Sequence, residues 1–174
     1  QLTSTVYWYD QPNYNNLVAT GLEYNTPVLN TSTTYYVQEA VLESPIFDGP
    51  VNQNSLGAGG FHANTDFQQV FSCTNPTILK SVYVYAESAF TIDIVLKNEN
   101  DEQLAIQTVD IIAGANTLEL NFDIPALQNM TLGISGVNPG LWRNNEVNAY
   151  PIAIGNNISI NESTAEPDVL DYFY

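Results

Sequence analysis

Short runs in which apolar and polar residues alternate recur along the chain and predict β-strands. In "SVYVYAE", Val82 and Val84 alternate with two tyrosines, and in "FTIDIVLKN", Ile92, Ile94 and Leu96 share one face. A period of two residues is that of an extended strand. No window carries the i, i+3, i+4, i+7 apolar spacing of an amphipathic helix. One apolar face and one mixed face indicate an antiparallel sheet packed on a second sheet.

Strand candidates follow one another with turn signals between them. In the first part of the chain they are "STVYWYD", "NLVATG" and "TYYVQEAVLE"; from about residue 67 they are "FQQVFSC", "TILKSVYVYAE", "FTIDIVLKN", "QLAIQTVDII", "NTLELNF" and "MTLGISG". The polar segment "NENDEQ" predicts a hairpin turn, and "IAGANT" predicts a further turn through Gly114 and Asn116. Many short strands with regularly spaced turns predict an all-β fold, an antiparallel β-sandwich.

The composition changes between residues 44 and 66, where "SPIFDGPVNQNSLGAGGFHANTD" is rich in Gly, Pro and Asn. This segment predicts a linker or the ordered entry loop of a second domain. The strand candidates before it are too few to close a stable sandwich readily. We therefore expect an incomplete domain over residues 1–43, completed by another segment or another chain, and an entry segment over 44–66. A sandwich is expected over 67–174, with 45–66 as its first strand and loop.

The charge of the chain excludes some partners. Three Lys and Arg residues against 19 Asp and Glu residues give a formal net charge of −16. Such a surface repels nucleic acid and anionic membranes, and no apolar run is long enough to span a bilayer. Strong acidity is also typical of disordered chains, but 11% aromatic residues and abundant β-branched residues indicate a folded chain.

The first part of the chain carries a resemblance to a known family. The stretch "YWYDQPNYNNLVATGLEYNTPVLNTSTTYYVQ" resembles the second half of an immunoglobulin-like repeat common in secreted Bacteroidota proteins. The matching positions are Trp8, Tyr9, Asp10, Thr34, Tyr35, Tyr36 and Val37. The sequence departs from the repeat at its Gly-rich turn, which is "QPNYNN" here. The resemblance implies a partial immunoglobulin-like unit over residues 1–43.

Residues 45–174 resemble a module that often follows such repeats in the same secreted proteins. The motifs that carry this resemblance are "GPVNQNSLGAGG", "LKSVYVYAES", "IVLKNENDEQL", "AGANTLELNFDIP", "LWRNNEVNAYPIAIGNNISI" and the terminal "YFY". The resemblance implies an extracellular, non-catalytic β-sandwich accessory module attached to proteases, glycan-degrading enzymes or adhesins. It implies no particular ligand.

The segment "GLWRNNEVNAYPIAIGNNISI" is the candidate ligand-binding region. Trp142 and Tyr150 would form a platform on which a sugar ring stacks, and Arg143, Asn144 and Asn145 would bind its hydroxyl groups. The alternative is structural: the tryptophan closes the end of the sandwich and the arginine pairs with an acid. We interpret the segment as a long inter-strand loop, packed by its aromatic residues, and as the candidate lip of a glycan or partner site.

The loop "FDGPVNQN" is the candidate metal site. Asp48, Asn52 and Asn54 supply oxygen ligands on an irregular loop, and Asp66 and Asp171 are further candidates. Such oxygen ligands suit a structural calcium ion. The spacing is not that of an EF-hand, and the alternative is a turn held by hydrogen bonds from Asn and Asp side chains.

Residues for catalysis are scarce. His62 is the only histidine, and Cys73 is the only cysteine, so an intrachain disulfide is impossible. No oxyanion-type glycine turn surrounds Cys73, which we expect to be a buried, inert thiol. Carboxylates lie in turns such as "NENDEQ" and "STAEPD", which favours solvated faces over the paired acids of a glycosidase. The protein is therefore predicted not to be an enzyme.

The predicted fold is a jelly-roll-like antiparallel β-sandwich preceded by a partial immunoglobulin-like unit. The predicted function is that of a non-catalytic module of a larger secreted or cell-surface protein, acting in adhesion or carbohydrate binding. Expected partners are a polysaccharide or surface glycan and neighbouring domains or copies; the one expected cofactor is structural calcium. The alternative is a stalk or surface-filament subunit assembled by strand pairing between copies, because exposed sheet edges accept a neighbouring strand.

Overall fold

The computed structural model of the protein describes residues 3–12, 16–42, 44–63, 67–136 and 140–173. All regular secondary structure in these residues is β-strand, which confirms the predicted all-β fold. No helix that could cross a membrane is found in this part of the chain. The chain divides into two compact units, Gln1–Pro45 and Ile46–Tyr174.

The first unit is a three-stranded antiparallel sheet. Its strands are β1 (Thr3–Tyr9), β2 (Leu17–Thr20) and β3 (Tyr36–Leu42), arranged in the order β2-β1-β3. They lie where the alternation predicts them. On one face, Trp8 donates a hydrogen bond of 2.9 Å from Nε1 to the carbonyl oxygen of Gly21. Its ring centroid lies 5.9 Å from that of Tyr24.

The second unit contains two antiparallel sheets. Its strands are β4 (Gly59–His62), β5 (Gln69–Cys73), β6 (Thr77–Ala86), β7 (Phe90–Lys97), β8 (Gln103–Ile111), β9 (Gly114–Ile124), β10 (Met130–Ser135), β11 (Leu141–Asn144), β12 (Ile152–Ile154) and β13 (Ile158–Ser163). One sheet has the order β12-β13-β5-β10-β7-β8, and the other has the order β4-β11-β6-β9.

The chain crosses between the two sheets in the manner of a jelly roll. The consecutive strands β5 and β6 lie in different sheets, and so do β9 and β10. Strand β5 pairs with β10, while β6 pairs with β9. The segments β5-β6 and β9-β10 therefore form one antiparallel ribbon that folds over, so that each segment contributes one strand to each sheet, as in a jelly-roll sandwich.

The core lies between the two sheets and is filled by alternate side chains. Its members on β7 and β9 are Ile92, Ile94, Leu96, Leu118, Leu120, Phe122 and Ile124. The residues between them on β9 are exposed, including Glu119, Asn121 and Asp123. Each large aliphatic side chain buried in this way stabilises the fold by about 1.5–3 kcal/mol. The alternation along β9 therefore fixes which face of this sheet is in contact with solvent.

Two predicted turns are present, and one of them does more than reverse the chain. In "NENDEQ", Oδ1 of Asn98 accepts hydrogen bonds from the backbone N–H groups of Asn100 and Glu102, at 2.9 and 3.0 Å. In "IAGANT", the Asn116 side chain bonds both backbone groups of Ile112, at 2.9 and 2.8 Å. Because β8 and β9 belong to different sheets, this second turn carries the chain across the edge of the sandwich.

Short strands occur in the segment predicted as one long loop and in the entry segment, for which a first strand and a loop were predicted. Strand β4 lies in the Gly-rich entry segment, and β11, β12 and the start of β13 lie within residues 140–160. The prediction of one long loop over 140–160 is therefore wrong. Strands of three or four residues that contain Gly, Asn or Arg are too short to show a period of two, and only their pairing with longer strands defines them.

Candidate functional site

Strand β11 positions most of the predicted ligand-binding residues. It lies between β4 and β6 in the four-stranded sheet. Leu141 packs against the hydrophobic core, and side chains alternate between the two faces of a strand. Leu141 and Arg143 therefore lie on the inner face of the sheet, whereas Trp142 and Asn144 lie on its outer face.

Trp142 is held on the outer face by three neighbours. Its Nε1 donates a hydrogen bond of 3.1 Å to the carbonyl oxygen of Gln53. Its ring meets that of Phe61, directly opposite on β4, edge to face at 5.4 Å between centroids. A Cβ atom at Gly59 would lie 2.8 Å from Nε1 of Trp142, so the tryptophan fits only beside glycine. Phe61 is 44% exposed and is the more accessible ring of the pair.

Two tyrosines on β6 continue this outer face. Val82 and Val84 pack against the core, so Tyr83 and Tyr85 point to solvent, with their centroids 5.3 Å apart. Leu141 on β11 pairs with Ala86 on β6. Because the two strands are antiparallel neighbours, Tyr85, which precedes Ala86, is the next residue of β6 to face β11. We refer to the side chains of Phe61, Tyr83, Tyr85 and Trp142 as the aromatic face. Of these four residues, only Trp142 was predicted to belong to a site, although the alternation in "SVYVYA" already separates the tyrosines from the core.

Arg143 points to the inner side and has no acid partner among the described residues. Its guanidinium carbon lies 4.6 Å from the ring centroid of Tyr172. Its Nε is buried and forms no hydrogen bond, and it takes part in no ion pair in the described part of the chain. A pair with an acid such as Asp123, the structural alternative, does not form. Asp123 on β9 lies opposite Ile78, near the start of β6. Strand β11 pairs with Ala86, at the end of β6, so the two lie at opposite ends of that strand.

Arg143 also acts on the only histidine. The pKa of His62 is lowered from 6.5 to about 4, mainly by burial and secondly by the positive charge of Arg143. His62 is therefore neutral at pH 7. A neutral histidine beside a guanidinium adds no positive charge to this region.

Asn144 is a structural residue. Its side chain is buried, and Nδ2 donates to the carbonyl oxygens of Gln53 and Gly57, at 2.7 and 3.0 Å. Its backbone pairs with Phe173 through hydrogen bonds of 3.0 and 3.1 Å. The following residue, Asn145, has an exposed side chain and donates its backbone N–H to the carbonyl oxygen of Ala58 at 2.9 Å. This part of the chain thus joins the entry segment to the C-terminal residues.

Tyr150 lies among different neighbours. Its hydroxyl accepts a hydrogen bond of 2.6 Å from Nε2 of Gln69 and donates one of 2.6 Å to the carbonyl oxygen of Tyr172. Its ring stacks on Phe173 with centroids 6.4 Å apart. The structure therefore places Tyr150 beside the six-stranded sheet, while Trp142 lies on the outer face of the other sheet. The five predicted residues do not form one continuous lip, and a role for them in ligand binding stays a prediction.

The side-chain oxygens of the predicted calcium loop bond the backbone. The Asp48 carboxylate accepts hydrogen bonds from the N–H groups of Gly49 and Gly155, at 2.9 and 3.1 Å. These two hydrogen bonds lower the pKa of Asp48, and the one from Gly155 has the larger effect. Oδ1 of Asn52 accepts from the N–H of Asn54 at 2.9 Å. This is the hydrogen-bonded turn that was the alternative to a metal site.

The remaining candidate ligands are Asp171 and Asp66. The backbone carbonyl of Asp171 accepts a hydrogen bond of 3.0 Å from Val147, and Asp66 lies outside the described residues. In the described part of the chain, no group of three or more His, Cys, Asp or Glu residues could hold a metal ion. Calcium binding stays a prediction.

Cys73 has the environment of a packing residue. Its side chain is 1% exposed, and Sγ donates to the carbonyl oxygen of Asn75 at 2.9 Å. Burial raises the pKa of its thiol. A protonated thiol inside the core is neither nucleophilic nor accessible to substrate.

Comparison with known proteins finds a family match for the first unit. Residues 1–44 match the model of the family described as Ig-like domain CHU_C associated, an immunoglobulin-like repeat of Bacteroidota type. Domains of this family typically occur in extracellular or surface proteins. No curated protein and no solved structure matches the chain. The family match and the β-sandwich fit a non-catalytic extracellular module.

Proposed function

We propose that this protein is an extracellular module that binds carbohydrate through the aromatic face of its four-stranded sheet. The observation that carries the proposal is the set of four rings on the solvent side of β4, β11 and β6. Tyr83 is 54% exposed and Phe61 nearly as much, so both have ring surface free for a ligand. Aromatic rings bind sugars by stacking against their C–H groups, and polar groups at the rim orient the hydroxyls.

The environment of the chain's reactive groups supports a binding role. The thiol of Cys73 is buried, and His62 is neutral at pH 7 with a pKa of about 4. A rigid sandwich that presents rings on a flat sheet binds weakly at each site, and repetition of the module on a surface would strengthen attachment.

The test measures retention of the whole chain on immobilised polysaccharides. We expect the double variant Phe61→Ala/Tyr83→Ala to lose retention while its melting temperature stays close to that of the native protein, because both side chains are exposed. The matched control is Ile106→Ala, which removes a 48% exposed side chain from the six-stranded sheet. Failure of the native chain to bind any polysaccharide, or equal loss in the control, would contradict the proposal.

A structural role is the second candidate. Its support is the first unit, a three-stranded sheet with edge strands β2 and β3 and no fully buried side chain among those described. An edge strand accepts a strand from another chain. Sedimentation of the native chain over a range of concentrations tests this candidate, since a monomer at all concentrations would argue against assembly between copies.

A further inference from the structure

We infer that the aromatic face takes a single, uncharged glycan chain and discriminates against acidic glycans and crystalline polysaccharide surfaces. This inference rests on the proposed function and concerns the same site. Three features of the outer face support it: the angles between the rings, the distance over which the rings are spread and the sign of the neighbouring charges.

The angles between the rings exclude a flat platform. Phe61 and Trp142 meet at an interplanar angle of 87°, and Tyr83 and Tyr85 meet at 84°. Each pair therefore presents one ring face and one ring edge. A crystalline polysaccharide offers a rigid plane, which would contact only part of such a surface. A single chain adapts better, because its successive sugar rings can rotate about the glycosidic bonds and follow each ring in turn.

The rings are spread over the length of an oligosaccharide. The row from Phe61 across Trp142 to β6 spans two strand spacings, about 10 Å. Tyr83 and Tyr85 are two residues apart on β6, which adds about 7 Å along the strand. One monosaccharide would cover a single ring pair. Binding should therefore strengthen with chain length until both pairs are covered.

The charges beside the rings disfavour an anionic ligand. On β9, the exposed side chains of Glu119 and Asp123 share the outer face, and Glu119 lies opposite Ser81, two residues from Tyr83. Lys80, the cation of this region, already donates to Oδ1 of Asn121 at 3.2 Å. The electrostatic screening length is about 8 Å at physiological salt, so the Glu119 carboxylate, which lies two residues along β9 from the partner of Tyr83, acts on a ligand seated on that ring.

Small and polar residues next to the tyrosines complete the surface. Ala115 and Thr117 are the β9 partners of Tyr85 and Tyr83, and both are exposed. Because these side chains are short, the tyrosine rings are accessible to a ligand from the β9 side. The Thr117 hydroxyl is available to bind sugar hydroxyl groups, which a neutral glycan offers along its whole length.

The test titrates the whole chain with soluble oligosaccharides and follows tyrosine and tryptophan signals by NMR. The probes are neutral β-linked glucose and xylose oligosaccharides of increasing length, polygalacturonate oligosaccharides of matched length, and insoluble crystalline cellulose. We expect affinity for neutral probes to rise with length, affinity for acidic probes to be at least about tenfold weaker, which corresponds to about 1.4 kcal/mol, and no retention on crystalline cellulose.

Two variants separate the parts of the inference. Tyr83→Ala should weaken binding of long neutral oligosaccharides more than that of disaccharides. Glu119→Gln should raise affinity for the acidic probes and leave that for neutral probes nearly unchanged. Tighter binding of acidic glycans, or retention on crystalline cellulose, would overturn the inference while carbohydrate binding itself stands. If the native chain binds none of the probes and none of the immobilised polysaccharides, both proposals fail.

Discussion

The two units of this chain use the same alternating strand pattern with different results. In the second unit, alternate residues of β7 and β9 pack between two sheets, and Leu96 is 0% exposed. In the first unit, no described side chain is fully buried. Alternation creates a sheet with an apolar face, but only a second sheet turns that face into a core.

Aromatic contacts take the place of a core in the first unit. Trp8 lies 5.9 Å from Tyr24, and Tyr24 lies 5.2 Å from Tyr35 in an edge-to-face arrangement. These rings belong to β1 and to the segment between β2 and β3. The irregular segment thus covers part of one face of the sheet, and Val37 on the same face stays 49% exposed.

The largest effect is expected when the units are separated. Residues 46–174 should unfold cooperatively on their own, because their core is complete. Residues 1–45 should lack stable structure, because three strands without a buried core rarely hold together in water. Circular dichroism with chemical denaturation of the two fragments measures this. A cooperative transition in the short fragment would show that its aromatic contacts suffice.

Substitution of one core residue gives the next largest effect. Leu96→Ala should reduce the free energy of unfolding by about 2–5 kcal/mol, because it removes a wholly buried side chain and leaves a cavity. The matched change in the first unit, Val37→Ala, should alter it by no more than about 0.5 kcal/mol. Urea denaturation of the full chain compares the two. Equal losses would contradict the difference between the units.

A smaller effect depends on pH and on His62. The unfolded histidine titrates near 6.5 and the folded one near 4, so protons bind the unfolded state first as the pH falls. The stability that neutral His62 provides is complete above pH 6.5, is lost between 6.5 and 4, and stays lost below 4. Because the ring is partly exposed, the loss should be on the order of 1–2 kcal/mol.

The control for that loss is His62→Gln, which has no titrating group in this range. The difference in unfolding free energy between the native chain and the variant should change across the window from pH 6.5 to 4 and be flat outside it. Denaturation curves at several pH values measure the difference. A flat difference throughout would show that the histidine has its ordinary pKa in the folded protein.

A smaller effect on stability than that of His62 is expected from Arg143→Met. Methionine keeps the packing on Tyr172 and removes the buried Nε that has no hydrogen-bond partner, so the free energy of unfolding should change by less than about 1 kcal/mol. The pKa of His62 should rise, because one of its two causes is removed, but should stay below 6.5, because burial is the larger cause. NMR titration of His62 measures the shift. A large destabilisation would mean that Arg143 holds an anionic partner.

Parts of the candidate site could be read from the sequence, and parts could not. The pattern in "SVYVYA" assigns Val82 and Val84 to the core and Tyr83 to the solvent side, and the structure confirms this. The same alternation could not be recognised in "LWRNNEVNAY", because its strand β11 has only four residues, too few for a period of two to be evident. Trp142 and Arg143 were expected in one lip, but adjacent residues of a strand point to opposite faces.

The all-β fold, the positions of the long strands and the buried face of each strand follow from the amino-acid sequence, because they are encoded by local alternation over eight or more residues. Which short segments form strands depends on the folded sheet, since β11 pairs with β4 on one side and with β6 on the other across long chain separations. Only the tertiary structure decides that Phe61, which lies in a Gly-rich entry segment, stands beside Trp142. Contacts between residues far apart in the chain depend on sheet order and register, and no local pattern encodes either.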